Sequence, residues 1–389
     1  MNIIEVSDKE TRRNFLELPL KLYEGNKVWI RPLDKDITNV FDRGKNKTWR
    51  NGEATRWILT ANSGEVVGRI AAFVNNRTMN EGNKQPTGGI GFFDCIDNQE
   101  AANLLFETAK EWLSNKDMEA MDGPINFGDR NAWWGLLVDG FDLEPNYQCN
   151  YNPPYYQKLF EEYGFNTYFK QFTFARKIKD PLDPRLLAKA EKIMANPDYA
   201  FEHVEKKEIA KNAENFRNVY NAAWGGHSGV AEMSQSQALT LFKKMDAIVD
   251  EKIIWYVFYK NQPIGFYVNI PEINQVFKYV NGKMNLLGKL KFLYHQWRET
   301  NHKMLGIVFG IAPEHQGIGV DGALIHAVRK MVQEDYQRYS LLELNWIGDF
   351  NPKMVRVVEQ VGGTVSKTHH TYRKLFNENV TFERMPING

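Results

Sequence analysis

The chain has 389 residues, with 49 basic and 48 acidic side chains and a formal net charge of +1. This length is enough for two domains of ordinary size, and the balanced charge gives no indication of a nucleic-acid partner. Two cysteines, Cys95 and Cys149, are too few for a disulfide framework or a cysteine metal site, which favours a cytoplasmic setting.

The N-terminal segment is charged from its first residues and lacks the apolar core of a signal peptide. No apolar run approaches the roughly 20 residues that a membrane helix needs. We therefore expect no integral membrane segment. For the oligomeric state we expect a monomer or homodimer.

The first half alternates strand and helix patterns along the chain. Their predicted positions are strands near 65–75, 89–96 and 119–127, a helix at about 99–115 and a short helix at 154–163. A segment with two Asp-Pro steps and a short amphipathic helix follows, which is typical of a linker.

The second half shows a similar order. The predicted elements are helices at 208–223, 320–335 and 352–361, and strands at 253–259, 264–270, 304–312, 341–346 and 364–376. Strands with interposed helices predict a twisted mixed sheet covered by helices.

Three landmarks of the first half recur in the second. The pairs are Gly68 and Gly265, Asn152 and Asn351, and Gly164 and Gly362, each separated by about 198 residues. The agreement favours a duplicated unit.

One segment of the second half indicates a ligand. The apolar run 305–312 reaches Pro313 and then the turn Gln316-Gly317-Ile318-Gly319, which opens a helix. Glycines let the backbone approach a ligand closely, and free N–H groups at a helix start attract phosphate. The order of strand, tight turn and helix therefore predicts a site for a pyrophosphate-bearing molecule.

The segment GIAPEHQGIGVDGAL resembles the acyl-CoA loop of the GNAT (Gcn5-related N-acetyltransferase) superfamily, with matches at Gln316, Gly317 and Gly319. Asp321 departs from it, because a carboxylate there repels a pyrophosphate. ELNWIGDFNPKMVRVVEQVGG resembles the next superfamily block, and GRIAAFVNNR and YNPPYYQKLFEEYGF resemble N-terminal signatures of a bacterial tandem-GNAT subfamily.

The resemblance implies an α/β fold (an α+β mixed sheet) with two GNAT-like acyl-CoA N-acyltransferase domains in tandem. We place a degenerate N-terminal domain at 1–178, a linker at 179–199, and a C-terminal domain with the acyl-CoA site at 200–389. The first half has no glycine turn where one is expected, and carries Asp94 and Glu100 near its helix start instead. Carboxylates there occupy the place of a phosphate, so the first half is expected to bind no CoA.

The resemblance also implies site residues. The acyl-CoA contacts are expected from Ile311, Ala312, Gln316, Gly317, Ile318, Gly319, Gly322 and Asn351. Glu343 is the first candidate for the base that takes the ammonium proton, and Asp349 is the second. The family's usual Tyr donor to the thiolate corresponds to Val358 here, so Tyr372 is the substitute candidate. Each of these has a structural alternative: an ion pair for Glu343, a helix cap for Asp349, and core packing for Tyr372.

The resemblance implies a small-molecule or amine acceptor as the partner, and its contacts are expected from Trp224, His227 and Glu272. An inserted basic segment, GKLKFLYHQWRETNHK, has several interpretations: contact with the CoA 3′-phosphate, an acidic substrate or a lipid headgroup. A solvated helix face over a small apolar seam is the favoured one.

The leading hypothesis is an acyl-CoA-dependent N-acyltransferase that moves acetyl from acetyl-CoA to a primary amine. Transfer of a long acyl or aminoacyl group is a rival, and so is a non-catalytic binding protein of the same fold. Motifs for metal or phosphoryl-transfer sites are absent from the sequence.

Overall fold

The computed structural model describes residues 1–80, 82–224, 232–246 and 248–387. The first half contains β1 (Asn2–Glu5), α1 (Lys9–Leu22), α2 (Asp34–Val40), β2 (Gly52–Thr60), β3 (Val66–Asn75), β4 (Thr87–Cys95), α3 (Gln99–Ser114), β5 (Ala120–Gly123), β6 (Leu136–Asp139), α4 (Tyr155–Tyr163) and β7 (Asn166–Lys177). The second half contains α5 (Pro184–Met194), β8 (Tyr199–His203), α6 (Ile209–Trp224), α7 (Gln235–Met245), β9 (Ile254–Tyr259), β10 (Gln262–Pro271), α8 (Asn274–Phe277), α9 (Leu286–Trp297), β11 (Lys303–Ile311), α10 (Val320–Lys330), β12 (Leu341–Gly348), α11 (Pro352–Gln360) and β13 (Thr364–Leu375).

The strands form one continuous sheet through both halves. Its order is β1-β2-β3-β4-β5-β13-β7-β12-β11-β10-β9-β8, and β6 pairs with β13. The predicted mixed sheet covered by helices is confirmed. The predicted 320–335 helix is α10 followed by a π-helical turn, Met331–Tyr336.

The last strands of the two halves are exchanged. β13 ends the chain but lies between β5 and β7, with Tyr372 opposite Gly123. β7 ends the first half but pairs with β12, with Leu341 opposite Lys177. Each half is therefore completed by the other's last strand, and the two units share one sheet. The boundaries at 178 and 200 stay a prediction about the duplicated sequence units.

In both halves a parallel strand pair begins together and then separates. β11 and β12 pair only from Lys303 with Leu341 to Gly306 with Leu344. β4 and β5 pair only from Thr87 with Ala120 to Gly89 with Asp122. Beyond these short ladders the strands leave a wedge-shaped opening in the sheet, and the two halves use it differently.

Candidate functional site

The wedge between β11 and β12, which we call the C-wedge, holds a cavity of about 410 Å³. The side chains that line it are mostly aliphatic or aromatic and come from β11, β12, α10 and α11. Representative members are Ile307, Phe309, Val328, Met354, Val357 and Val358. Apolar cavities of this size with a few polar groups are typical small-molecule sites.

A β-bulge opens the C-wedge on the β11 side. β10 pairs Val268 with Val308 and Asn269 with Gly306, which leaves Ile307 as an extra residue of β11. A bulge bends its strand and re-aims the backbone. Because the β12 ladder ends at Gly306, the β11 backbone that follows has no strand partner on its β12 side among the described residues.

The predicted phosphate turn connects β11 to α10, and the residues of α10 that line the C-wedge begin just after it, at Asp321. Gly317 and Gly319 have φ of +76° and +102°, in the left-handed region that favours glycine. Gln316 Nε2 donates to Ile311 O at 2.8 Å and closes the turn on the end of β11. α10 starts after Gly319 without a side-chain cap, so its first N–H groups are available to an anion.

Helix α5, from the predicted linker, packs on this turn. A Cβ at Gly319 would lie 3.4 Å from Lys189 Cβ, and a Cβ at Gly322 would lie 3.2 Å from the Leu186 side chain. The Cβ of Lys189 thus lies beside the turn, although α5 is outside the motif. Sequence reasoning missed this cation, because it assigned that stretch to a connection without function.

Asp321 lies in the first turn of α10 and lines the C-wedge. We expect Asp321→Asn to bind acyl-CoA roughly fivefold more tightly, since one repulsive charge near a solvated phosphate costs about 1 kcal/mol. Titration calorimetry at low salt measures the dissociation constant. The control is Glu334→Gln, which removes an exposed carboxylate from the π-helical turn after α10. Equal affinities of Asp321→Asn and wild type would show that phosphate does not lie at this turn.

The corresponding wedge of the first half is closed by its own backbone. Ile125 N donates to Ile90 O at 2.7 Å, beside the separating strands. A Cβ at Gly91 would lie 2.0 Å from Ile125 O, so the loop after β5 lies directly against β4. Asn98 caps α3 by accepting from Ala101 N, at the place where a phosphate would bind.

A buried ionic cluster lies at the base of the C-wedge, between the halves. Glu343 contacts Lys367 Nζ at 2.9 Å and Lys303 Nζ at 3.2 Å, and the three side chains are at most 7% exposed. Asn146, from the first half, donates to Glu343 Oε2 at 2.6 Å and accepts from Lys303 Nζ at 3.3 Å. Asn345 joins the cluster to the cavity, because it accepts from Asn146 at 3.2 Å and also lines the C-wedge.

The lysines keep Glu343 ionised. Burial opposes its ionisation, but Lys367 and Lys303 outweigh burial, and the pKa of Glu343 lies below its ordinary value. Burial also lowers the pKa of Lys367, against the attraction of Glu343. A carboxylate held this way is a weak proton acceptor at neutral pH, so the geometry favours its structural alternative.

Glu272 is the titratable group of this cluster with a near-neutral pKa. Burial raises the pKa of Glu272 to about 7, even though Lys303 lies nearby. Its Oε1 accepts from the backbone N–H groups of Tyr147 at 2.8 Å and Asn274 at 3.1 Å. Its Oε2 is buried without a hydrogen-bond partner among the described residues. This carboxyl, predicted as an acceptor contact, is 1% exposed and is not among the residues that line the C-wedge.

The structure separates the other predicted catalytic residues from the C-wedge. Tyr372 is fully buried in the core of the first half, where its hydroxyl donates to Glu161 at 2.9 Å. Asp349 accepts from Lys170 N at 3.1 Å and forms an ion pair with Arg384. The strand exchange explains why Tyr372 lies far from its predicted site, because β13 pairs with β5 of the first half.

Two further predicted residues, Asn351 and Trp224, have defined positions. Asn351 caps α11 by accepting from Met354 N at 3.2 Å, and it lines the C-wedge. Trp224 is the last residue of α6. His227 lies outside the described residues. Cys149 was not predicted as a site residue, yet its thiol accepts at 2.8 Å from Asn345 Nδ2, and Asn345 lines the C-wedge.

The described part of the chain contains no group of three His, Cys, Asp or Glu side chains suited to a metal ion. Within the same residues, no helix has the length and apolar character needed to cross a membrane.

Comparison with known proteins supports the fold. No family model matches the chain. A bacterial ceramide synthase of Caulobacter vibrioides is 24% identical over 383 residues, covering 96% of this chain and 97% of that protein. Protein YghO of Escherichia coli K12 is 23% identical over 388 residues, covering 94% and 93%.

Among solved structures, a tandem GNAT protein from the clavulanic acid biosynthesis pathway superposes with a TM-score of 0.55 at 10% identity. The match covers 97% of this chain and 99% of that one. The tandem GNAT fold predicted from the sequence is thereby confirmed.

Proposed function

We propose that this protein is an acyl-CoA-dependent N-acyltransferase whose donor lies in the C-wedge. The carrying observation is the asymmetry of the two wedges. The C-wedge is open, lined by apolar side chains and preceded by an uncapped glycine turn. The counterpart in the first half is filled by the backbone at Ile125, and the helix that follows it, α3, is capped by Asn98. One acyl-CoA site per chain follows from this difference.

We further propose that the acyl group is long, which was the rival interpretation at the level of sequence. Two observations favour it over acetyl. The apolar lining of the C-wedge, which includes Ile325, Val328, Met354 and Val357, is much larger than a two-carbon acetyl group can cover. One relative is described as a ceramide synthase, and a ceramide is an amide of a fatty acid and a long-chain amino alcohol.

The reaction follows from the groups at the base of the C-wedge. An amine nitrogen attacks the thioester carbonyl, the C–N bond forms, and the C–S bond breaks to release the thiol. Backbone N–H groups of β11 beyond Gly306 are suited to stabilise the oxygen that gains charge. The ammonium proton must leave before attack, and Glu272 is the proposed acceptor for it. Cys149 is the proposed proton donor to the departing thiolate, because it contacts Asn345 of the C-wedge and because burial raises the pKa of its thiol to about 11, which keeps it protonated.

Donor length is tested by thiol release. Purified protein is assayed with acetyl-, octanoyl- and palmitoyl-CoA, each with a long-chain amino alcohol and with small amines. We expect the highest kcat/KM with palmitoyl-CoA and the amino alcohol. The highest kcat/KM with acetyl-CoA would contradict the long acyl donor and favour acetyl transfer. Saturable acyl-CoA binding without thiol release, with any acceptor of the panel, would favour a binding protein and contradict the enzyme.

Glu272→Gln tests the proposed base. Because the Glu272 pKa is about 7, we expect kcat/KM of the wild type to fall as the pH drops below 7. We expect Glu272→Gln to lower kcat by about 10²-fold or more and to remove this pH dependence.

A purely structural Glu272 predicts a different result. Its folded pKa lies above its ordinary value, so ionisation between about pH 4.5 and 7 destabilises the fold as the pH rises. Glu272→Gln would then raise the melting temperature at pH 8 and leave kcat unchanged. That combination would remove Glu272 from the mechanism.

A further inference from the structure

Helix α9 turns its apolar side chains toward solvent. The exposed fractions are 77% for Leu286, 61% for Leu287, 57% for Leu290, 59% for Leu293, 53% for Tyr294 and 76% for Trp297. A surface helix ordinarily buries its apolar face and exposes its polar one. The prediction that Leu290, Leu293 and Trp297 form an apolar seam beneath a solvated helix face is therefore wrong.

The opposite side of α9 is fixed to the protein. A Cβ at Gly288 would lie 2.0 Å from Lys283 O, so the helix lies directly on the preceding loop. One turn later, the Phe292 ring stacks on Phe277 of α8 at 5.4 Å. The two residues share one face, since they are four positions apart. These two contacts fix the orientation of α9. The apolar face on the other side of the helix is left exposed to solvent.

Cations outnumber acids around this face. The stretch 278–299 contains Lys278, Lys283, Lys289, Lys291 and Arg298 against one acid, Glu299, and Lys278 pairs with Glu144 of the first half. Lys289, Lys291 and Arg298 are exposed, on or beside α9 itself. An apolar face with basic flanks and Trp and Tyr at its border is typical of helices that lie in the interface of a bilayer. The charge is complementary to anionic headgroups.

We propose that α9 binds the surface of an anionic lipid bilayer, with Leu286, Leu290 and Trp297 inserted and Lys289 and Lys291 at the headgroups. This inference stands on exposure and charge and does not depend on the proposed function. The connection that carries α9 begins next to Glu272. β10 ends just before Glu272, whose N–H donates to Lys303 O at the start of β11, and α8 and α9 lie between these two strands.

The test is co-sedimentation of the full chain with vesicles of phosphatidylcholine alone or mixed with phosphatidylglycerol. We expect binding to the mixed vesicles that weakens with salt, and much less to phosphatidylcholine alone. Leu290→Ser with Trp297→Ser should lower the partition constant at least tenfold. Lys289→Gln with Lys291→Gln should lower it about 30-fold, from roughly 1 kcal/mol per cation. All four residues are exposed, so the melting temperature reports that the variants remain folded.

Two controls lie on other surfaces. Lys243→Gln with Lys244→Gln removes two exposed cations of α7, and Ile387→Ser removes a side chain that is 71% exposed. Both should bind vesicles as the wild type does. Wild-type protein that stays in the supernatant with anionic vesicles at low salt would overturn the proposal. So would a solution dimer that Leu290→Ser with Trp297→Ser dissociates without any vesicle binding, which would assign the face to a second copy of the chain. Vesicle binding without thiol release would leave this inference intact and count against the enzyme.

Discussion

Glu343→Gln is expected to lower the free energy of unfolding by about 3–5 kcal/mol, because it leaves two buried ammonium groups without the carboxylate that holds them. Lys303 is 7% exposed at its side chain and Lys367 is 2% exposed. The amide retains the shape of the carboxylate and its contact with Asn146, so the loss isolates the charge. Urea denaturation at pH 7 measures it, through the midpoint and the slope.

The matched control is Glu53→Gln, which breaks the exposed ion pair of Glu53 with Lys116. We expect a loss below about 1 kcal/mol there, since solvent screens such a pair. A loss of less than 1 kcal/mol in Glu343→Gln would contradict the cluster. The folded pKa of Glu343 lies below its ordinary value, so its contribution is present above about pH 4.5 and is lost as the pH falls further.

Val357→Trp is expected to weaken acyl-CoA binding at least tenfold by filling the C-wedge. Val357 lies on α11, lines the cavity and is 38% exposed, so an indole has space to extend over the cavity without displacing a packed core residue. Titration calorimetry with palmitoyl-CoA measures the dissociation constant. The melting temperature without ligand should stay within a few degrees of the wild type.

Glu359→Trp places the same indole on an exposed position of α11 that does not line the cavity. We expect it to bind acyl-CoA with the wild-type affinity. Equal affinities for Val357→Trp and Glu359→Trp would mean that the donor lies elsewhere. The pair separates occupation of the C-wedge from any general effect of an added indole.

The sequence predicted the sheet, the duplication and the glycine turn, because each depends on local pattern. Glycines 317 and 319 have the positive φ that their spacing suggests. The strand exchange was not predictable in this way. β7 and β13 have the same length and follow a similar helix and glycine, so either fits beside β5 or β12. Tyr372 was assigned to the second half for that reason, although its strand completes the first.

The buried ionic cluster could not be predicted from local sequence pattern either. Glu343, Lys303 and Lys367 come from different strands, and an isolated Lys in a strand pattern gives no sign of burial. Their partner Asn146 lies in a loop of the first half, and only the shared sheet brings it to them. The near-neutral pKa of Glu272 likewise arises from burial in three dimensions.

Helix α9 shows the limit of amphipathic periodicity. The inserted basic segment was interpreted as a helix, which α9 confirms. An amphipathic pattern, however, does not say which face of a helix meets the protein. Gly288 and Phe292 decide this, through a close backbone contact and a ring stack.

The stoichiometry of acyl-CoA binding tests the central claim most directly. Calorimetric titration of the purified chain with palmitoyl-CoA, held below its micelle concentration, should give one saturable site per chain, and Val357→Trp should abolish or strongly weaken it. Two sites per chain would contradict the closed wedge of the first half, and no saturable site would contradict the proposed donor altogether.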